Sequence, residues 1–183
     1  MPINSRLNDL LIKKEHSILV VDDNTDILDT INESVKNLMP DLNIQTCSHI
    51  NCTFYDYIYQ NNFDLCIMDV ILGNDDAREI SDEILDIKDD LIFLFISGYN
   101  FNLESFSHLR GRCIYDFMSK PFSVETLLTS IITLLNISTT YKLLKREKDN
   151  IDNVRKFYWK KIKEDKLMIK AFRNECKKMV LPD

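Results

Sequence analysis

Apolar residues fall into five short runs, most of them continuous, separated by longer stretches in which they recur every three or four positions. The runs predict strands at 18–21, 43–47, 65–68, 92–96 and 114–117. Four of these are nearly uninterrupted, as strands covered on both faces require, whereas 43–47 alternates and belongs at an edge. The intervening stretches predict amphipathic helices over 25–38, 51–60, 76–88, 102–110 and 123–137. Strands alternating with helices give an α/β chain with a doubly wound, five-stranded parallel sheet.

The last helix has no sequence signal to stop it. Between residues 122 and 181 there is neither Gly nor Pro, although weak helix formers at 136–140 predict a kink or break. A seam stepping alternately by four and three from Ile137 to Met179 is apolar at ten of thirteen positions, interrupted by Lys148, Arg155 and Asp165. Val154, Phe157, Trp159, Leu167 and Met168 lie off it and widen the stripe beyond what a two-stranded coil needs. Such a face must be buried against a second copy, the body or a partner. The chain is therefore divided into a lead segment 1–15, a body 16–138 and a helical extension 139–183.

Charge sharpens that division. Residues 1–140 carry 9 Lys/Arg against 22 Asp/Glu, whereas residues 141–183 carry 14 against 7, so an acidic body meets a basic tail. The tail shows no helix-turn-helix pattern and no zinc spacing, and its cations are interleaved with acids, which argues against nucleic-acid binding. Five cysteines without a CxxC pair read as reduced thiols, with Cys47, Cys66 and Cys113 in apolar strand-like runs. No apolar stretch has the length of a leader or a bilayer span, so a cytoplasmic protein is expected. His16, His49 and His108 read as surface residues.

The candidate chemistry sits after the strands. Asp22 and Asp23 follow the first, Asp69 the third, Ser97-Gly98 the fourth and Ser119-Lys120-Pro121 the fifth. In an open α/β sheet, ligands bind outside the carboxyl ends of the strands, where the strand order reverses. No strand runs into a glycine-rich turn, which excludes a dinucleotide fingerprint or P-loop. Three carboxylates at neighbouring strand ends repel one another unless a cation lies between them, and oxygen ligands without His or Cys favour magnesium. The middle carboxylate, Asp69, then suits a nucleophile, with Lys120 and Ser97 as donors to phosphoryl oxygens.

The segments Leu19-Val20-Val21-Asp22-Asp23-Asn24, Cys66-Ile67-Met68-Asp69, Phe95-Ile96-Ser97-Gly98 and Phe117-Met118-Ser119-Lys120-Pro121-Phe122 resemble the signature blocks of two-component response-regulator receiver domains. The resemblance covers roughly 16–138. It implies a flavodoxin-like sheet of order 2-1-3-4-5 flanked by five helices. It also implies Asp69 as phosphoacceptor, and Mg2+ (or Mn2+) held by Asp22, Asp23, Asp69 and the backbone carbonyl of Ile71. Lys120 would bind the phosphoryl group, and Ser97 and Phe117 would form the switch pair. The donor would be a sensor histidine kinase or phosphotransfer protein. The chain would be a switch promoting only its own phosphorylation and hydrolysis.

The loop after Asp69 departs from the family pattern, with Gly73, Asp76 and Ala77 where Pro and Asp-Gly are usual. Phe117 lacks a phenolic hydroxyl. Ile71 and Tyr99 fill two variable positions with side chains poorly suited to orient an attacking water, so a long-lived aspartyl phosphate is expected. Output is expected through a homodimer or a partner protein bound by residues 139–180. The alternatives are a nucleic-acid-binding regulator acting through the basic tail, or a fragment of a longer regulator with an effector domain. A haloacid-dehalogenase-type phosphatase would need an aspartate where the Asp22 frame has Asn24.

Overall fold

The computed structural model describes residues 15–73, 75–98 and 103–179, and beyond residue 157 it describes only some side chains. The expected lead segment before Glu15, the loop residue Tyr99 and the side chains of the seam from Tyr158 onward lie outside the described residues. Two compact units meet between Lys142 and Leu143.

In the first unit, β1 (Ser17–Val21), β2 (Asn43–Cys47), β3 (Leu65–Asp69), β4 (Ile92–Ser97) and β5 (Tyr115–Ser119) form one parallel sheet in the order β2-β1-β3-β4-β5. Three helices alternate with the first strands: α1 (Thr25–Leu38), α2 (Cys52–Gln60) and α3 (Ala77–Ile87). Each begins at a polar cap whose side chain accepts from a backbone N–H two residues on, namely Asn24, Asn51 and Asp76. The alternating strand is at the edge, as its pattern requires.

Period-two alternation divides the core. Ile18, Val20, Ile67 and Leu94 face α1 and the first turns of the last helix, α4 (Val124–Met179), through Ile31, Val35, Leu127 and Ile131. Leu19, Met68, Phe93 and Phe95 face α2 and α3 through Phe54, Ile58, Ile80 and Ile84. Contrary to the expectation from the sequence, an 18-residue window within 124–157 is apolar enough to cross a bilayer by length and composition alone, but the apolar residues at 127–135 belong to this core.

Four features differ from the pattern-based expectation. The fourth connection is a 3-10 helix, Leu103–Leu109, rather than an α-helix. Its buried residues Phe106 and Leu109 are three apart, the spacing that this tighter helix places on one side. A two-residue hairpin, Ile71–Leu72 against Asp75–Asp76, follows β3. The weak helix formers at 136–140 do not break α4. Thr140 donates its hydroxyl to the Asn136 carbonyl at 3.0 Å, and Ser138 is fully buried.

The fourth difference is His16, which is buried rather than superficial. At the amino ends of the strands its Nδ1 lies 3.2 Å from Asp64 Oδ2, which also accepts from the Ser17 N–H at 3.1 Å. Lys142 Nζ donates to Asp64 Oδ1 at 2.9 Å and to the Phe63 carbonyl at 3.3 Å. Burial pushes the Asp64 carboxyl up, but the bonds from His16, Lys142 and Ser17 outweigh it and hold the group well below the carboxylate range.

A depressed carboxylate contributes stability that is complete above its unfolded pKa and is lost as pH falls. Asp64→Asn is therefore expected to cost about 2 kcal/mol at neutral pH, because it removes the charged partner of buried His16 and of partly exposed Lys142. Urea unfolding should show that difference narrowing as pH drops below about 4. A constant difference down to acid pH would contradict this account.

Candidate functional site

β1 and β3 are hydrogen-bonded neighbours, with Val21 in register with Met68, so the residues that follow them emerge side by side at one edge of the sheet. Asp22 leaves β1 directly, is almost fully buried, and accepts the Asn24 N–H on Oδ1 at 2.8 Å. The same turn lets Asn24 cap α1, so Asp22-Asp23-Asn24 both starts a helix and presents two carboxylates. Asp69 closes β3, and its Oδ1 accepts the Ile71 N–H at 3.2 Å. Carboxylate oxygens of Asp22, Asp23 and Asp69 come within 4.8 Å of one another.

Lys120 reaches this cluster from β5. Its backbone N–H donates to the Ser97 carbonyl at 2.6 Å, and the Lys120–Pro121 peptide is cis. Its Nζ bridges Asp22 Oδ2 and Asp69 Oδ2, each at 2.7 Å. Burial works against the ammonium charge, but the two carboxylate bonds outweigh it and raise the lysine above its ordinary pKa. One ammonium against three carboxylates leaves two negative charges facing the same small volume. An all-oxygen donor set with that charge suits a divalent cation of the magnesium class.

Ser97 ends β4 beside β3, where Ile96 pairs with Asp69, and it is half-buried. Phe117 lies on β5 opposite Phe95. Its ring stacks on Phe95 at 5.4 Å and meets Phe106 edge-on at 5.4 Å, so it packs into the α2–α3 side of the core. Ile71 is 67% exposed next to Asp69. Gly73 has φ +62°, a left-handed turn that glycine adopts without strain, and an added Cβ would sit 3.8 Å from Asp23 Oδ2.

Asp22, Asp23, Asp69 and Lys120 are thus in direct contact or within a few ångströms, with Ser97 one register step away and Phe117 in the adjoining core. Ser48, His49 and Asp75 carry no site signal in the sequence. They join Asp23 and Gly73 in lining a cavity of about 460 Å³ beside the carboxylates. These residues lie on loops and in the short hairpin, where apolar periodicity is silent.

A family described as response regulator receiver domain matches residues 18–132. No curated protein matches the chain. Among solved structures, a CheY-like receiver domain protein from Methanospirillum hungatei is 19% identical with a TM-score of 0.58, over 68% of this chain and 97% of that one. A receiver domain protein from Clostridium thermocellum is 20% identical with a TM-score of 0.56, over 70% and 98%. NtrX from Brucella abortus, crystallised with ATP, is 28% identical with a TM-score of 0.58, over 74% of this chain and 29% of that one.

The charge imbalance at this edge makes a thermal prediction. Excess magnesium should raise Tm by several degrees, since a ligand at about 100 times its Kd stabilises by roughly 2.7 kcal/mol. Asp23→Asn should abolish that rise while leaving the metal-free Tm equal or higher, because it removes an exposed like charge. An undiminished magnesium response in this variant would remove Asp23 from the ligand set.

Proposed function

The chain belongs to the response regulator receiver domain family, and from that premise we propose that Asp69 accepts a phosphoryl group from the phosphohistidine of a sensor kinase or phosphotransfer protein. The observation that carries this reading is the Lys120 ammonium bridging Asp22 and Asp69 at 2.7 Å beside Asp23. An Asp69 carboxylate oxygen attacks phosphorus as the donor's P–N bond breaks, and the departing imidazole takes a proton. Lys120 then has phosphoryl oxygens within reach, and the Ser97 hydroxyl is a second donor from the next strand. Asp22, Asp23, Asp69 and the Ile71 carbonyl would hold Mg2+ or Mn2+, which when bound would supply positive charge to offset that of the incoming phosphoryl group. No step requires a second substrate to be turned over, so the molecule acts as a switch.

Phe117 and Ser97 transmit the change. A hydroxyl drawn toward the phosphoryl group alters the end of β4, against which the Phe117 ring packs through Phe95. Without a phenolic hydroxyl, that response is one of packing alone. The body 16–138 is the receiver and 139–183 the output element, whose exposed apolar residues serve self-association. Free thiols at Cys47, Cys52, Cys66 and Cys113 suit a cytoplasmic setting.

Incubation with acetyl phosphate and magnesium should add the mass of one phosphoryl group, and Asp69→Asn should abolish the addition. Unchanged modification of Asp69→Asn would refute the assignment. The aspartyl phosphate should outlast seconds, because the sec-butyl group of Ile71 offers no atom to orient water. Ile71→Gln should shorten its lifetime several-fold without lowering the yield, as read by intact mass over time. An equal lifetime would show that position 71 does not govern hydrolysis.

A further inference from the structure

Among the described side chains of the extension, five of the six exposed large apolar ones lie on one flank, with Leu167 outside it. Leu143, Leu144, Ile151, Val154 and Phe157 are each more than half exposed. At 3.6 residues per turn they fall within an arc of about 140°. Among the described side chains, the charges inside that arc are Glu147 and Lys161, both exposed and opposite in sign. A helix placing opposite charges two heptads apart within its apolar face is complementary to itself in only one direction.

In a parallel, in-register pair, the seam sets Lys148 against Lys148 and Arg155 against Arg155, and Glu147 flanks Asp152 of the second copy. Every close charged pair on that stretch is then repulsive. In an antiparallel pair centred near Val154, Glu147 of each chain meets Lys161 of the other, twice by symmetry. Arg155 then faces Ile151 instead of its own equivalent. Asp152 remains near Asp152, a single repulsive contact at the axis. Burial of the apolar flank drives association, and these charges choose its direction. The net positive charge of residues 141–183 opposes any self-pairing, but salt screens it beyond about 8 Å, whereas the contacts above are short-range.

We infer that the extension pairs with the same helix of a second copy in antiparallel orientation, with Glu147 and Lys161 as its reciprocal contacts. This rests on the proposed role of the extension in self-association. The test is sedimentation equilibrium of the full chain, wild type against Glu147→Lys, Lys161→Glu and the double variant. Both sites are exposed helix positions, so folding is preserved. Each single reversal should weaken the dimer about tenfold, and the double should restore it.

Lys161→Glu is decisive. It lowers the positive charge of the tail, and in a parallel pair it would oppose position 166, a lysine. Non-specific electrostatics and parallel pairing therefore both predict a tighter dimer, while antiparallel pairing predicts a weaker one. Tightening by Lys161→Glu, or failure of the double variant to recover, overturns the orientation and leaves self-association standing. A wild-type chain that stays monomeric at high concentration, with or without phosphorylation, overturns self-association as well.

Discussion

Like charge gathered at one edge of the sheet is the constraint on which the rest depends. Parallel pairing of β1 with β3 forces Asp22 and Asp69 to emerge side by side, and nothing in the backbone can move them apart. Asp22 is nearly fully buried, so water cannot screen it, and a protein countercharge must. Lys120 supplies that countercharge across 98 residues of sequence from Asp22. One lysine does not neutralise three carboxylates, and the residual negative charge suits a divalent cation.

β3 carries an ionic cluster at each end. Asp69 closes it at the carboxyl edge, and Asp64 precedes it at the amino edge, bound to His16 and Lys142. The two clusters are built differently. Asp64 is matched by His16, Lys142 and a backbone N–H, which is the pattern of a structural fastening. Asp69 sits in an acidic cluster with a cation deficit, the pattern of a functional one. The fastening also fits the extent of the first compact unit, which runs through Lys142, the helix residue bonded to Asp64 and to the Phe63 carbonyl.

Hydrophobic burial treats the two parts of α4 in opposite ways. Leu127, Ile131 and Leu135 complete the α1 side of the core, whereas Leu144, Ile151 and Val154 are exposed on the extension. An apolar flank of that extent carries a driving force for association, because each buried side chain of this size is worth about 1.5–3 kcal/mol. Charge inside the flank adds direction to a force that has none of its own.

The sequence by itself determined the strands of a parallel sheet and where the candidate site residues stand along the chain, while the order of the strands came only with the family resemblance. Strand runs have a period and a length that survive any packing, and Asp22, Asp69, Ser97 and Lys120 announce themselves by standing where apolar runs stop. Tertiary structure decided what local pattern does not encode. Burial of His16 follows from Asp64, 48 residues away, closing over it. The helix continues through 136–140 because packing around Ser138 outweighs weak propensity. The fourth connection became a 3-10 helix because Phe106 and Leu109 reach the core at a spacing of three. Ser48 and His49 came to the site through loop geometry, and Asp75 through the short hairpin after β3. Periodicity reports which face of an element is buried, and only the assembled chain fixes which distant charges must meet.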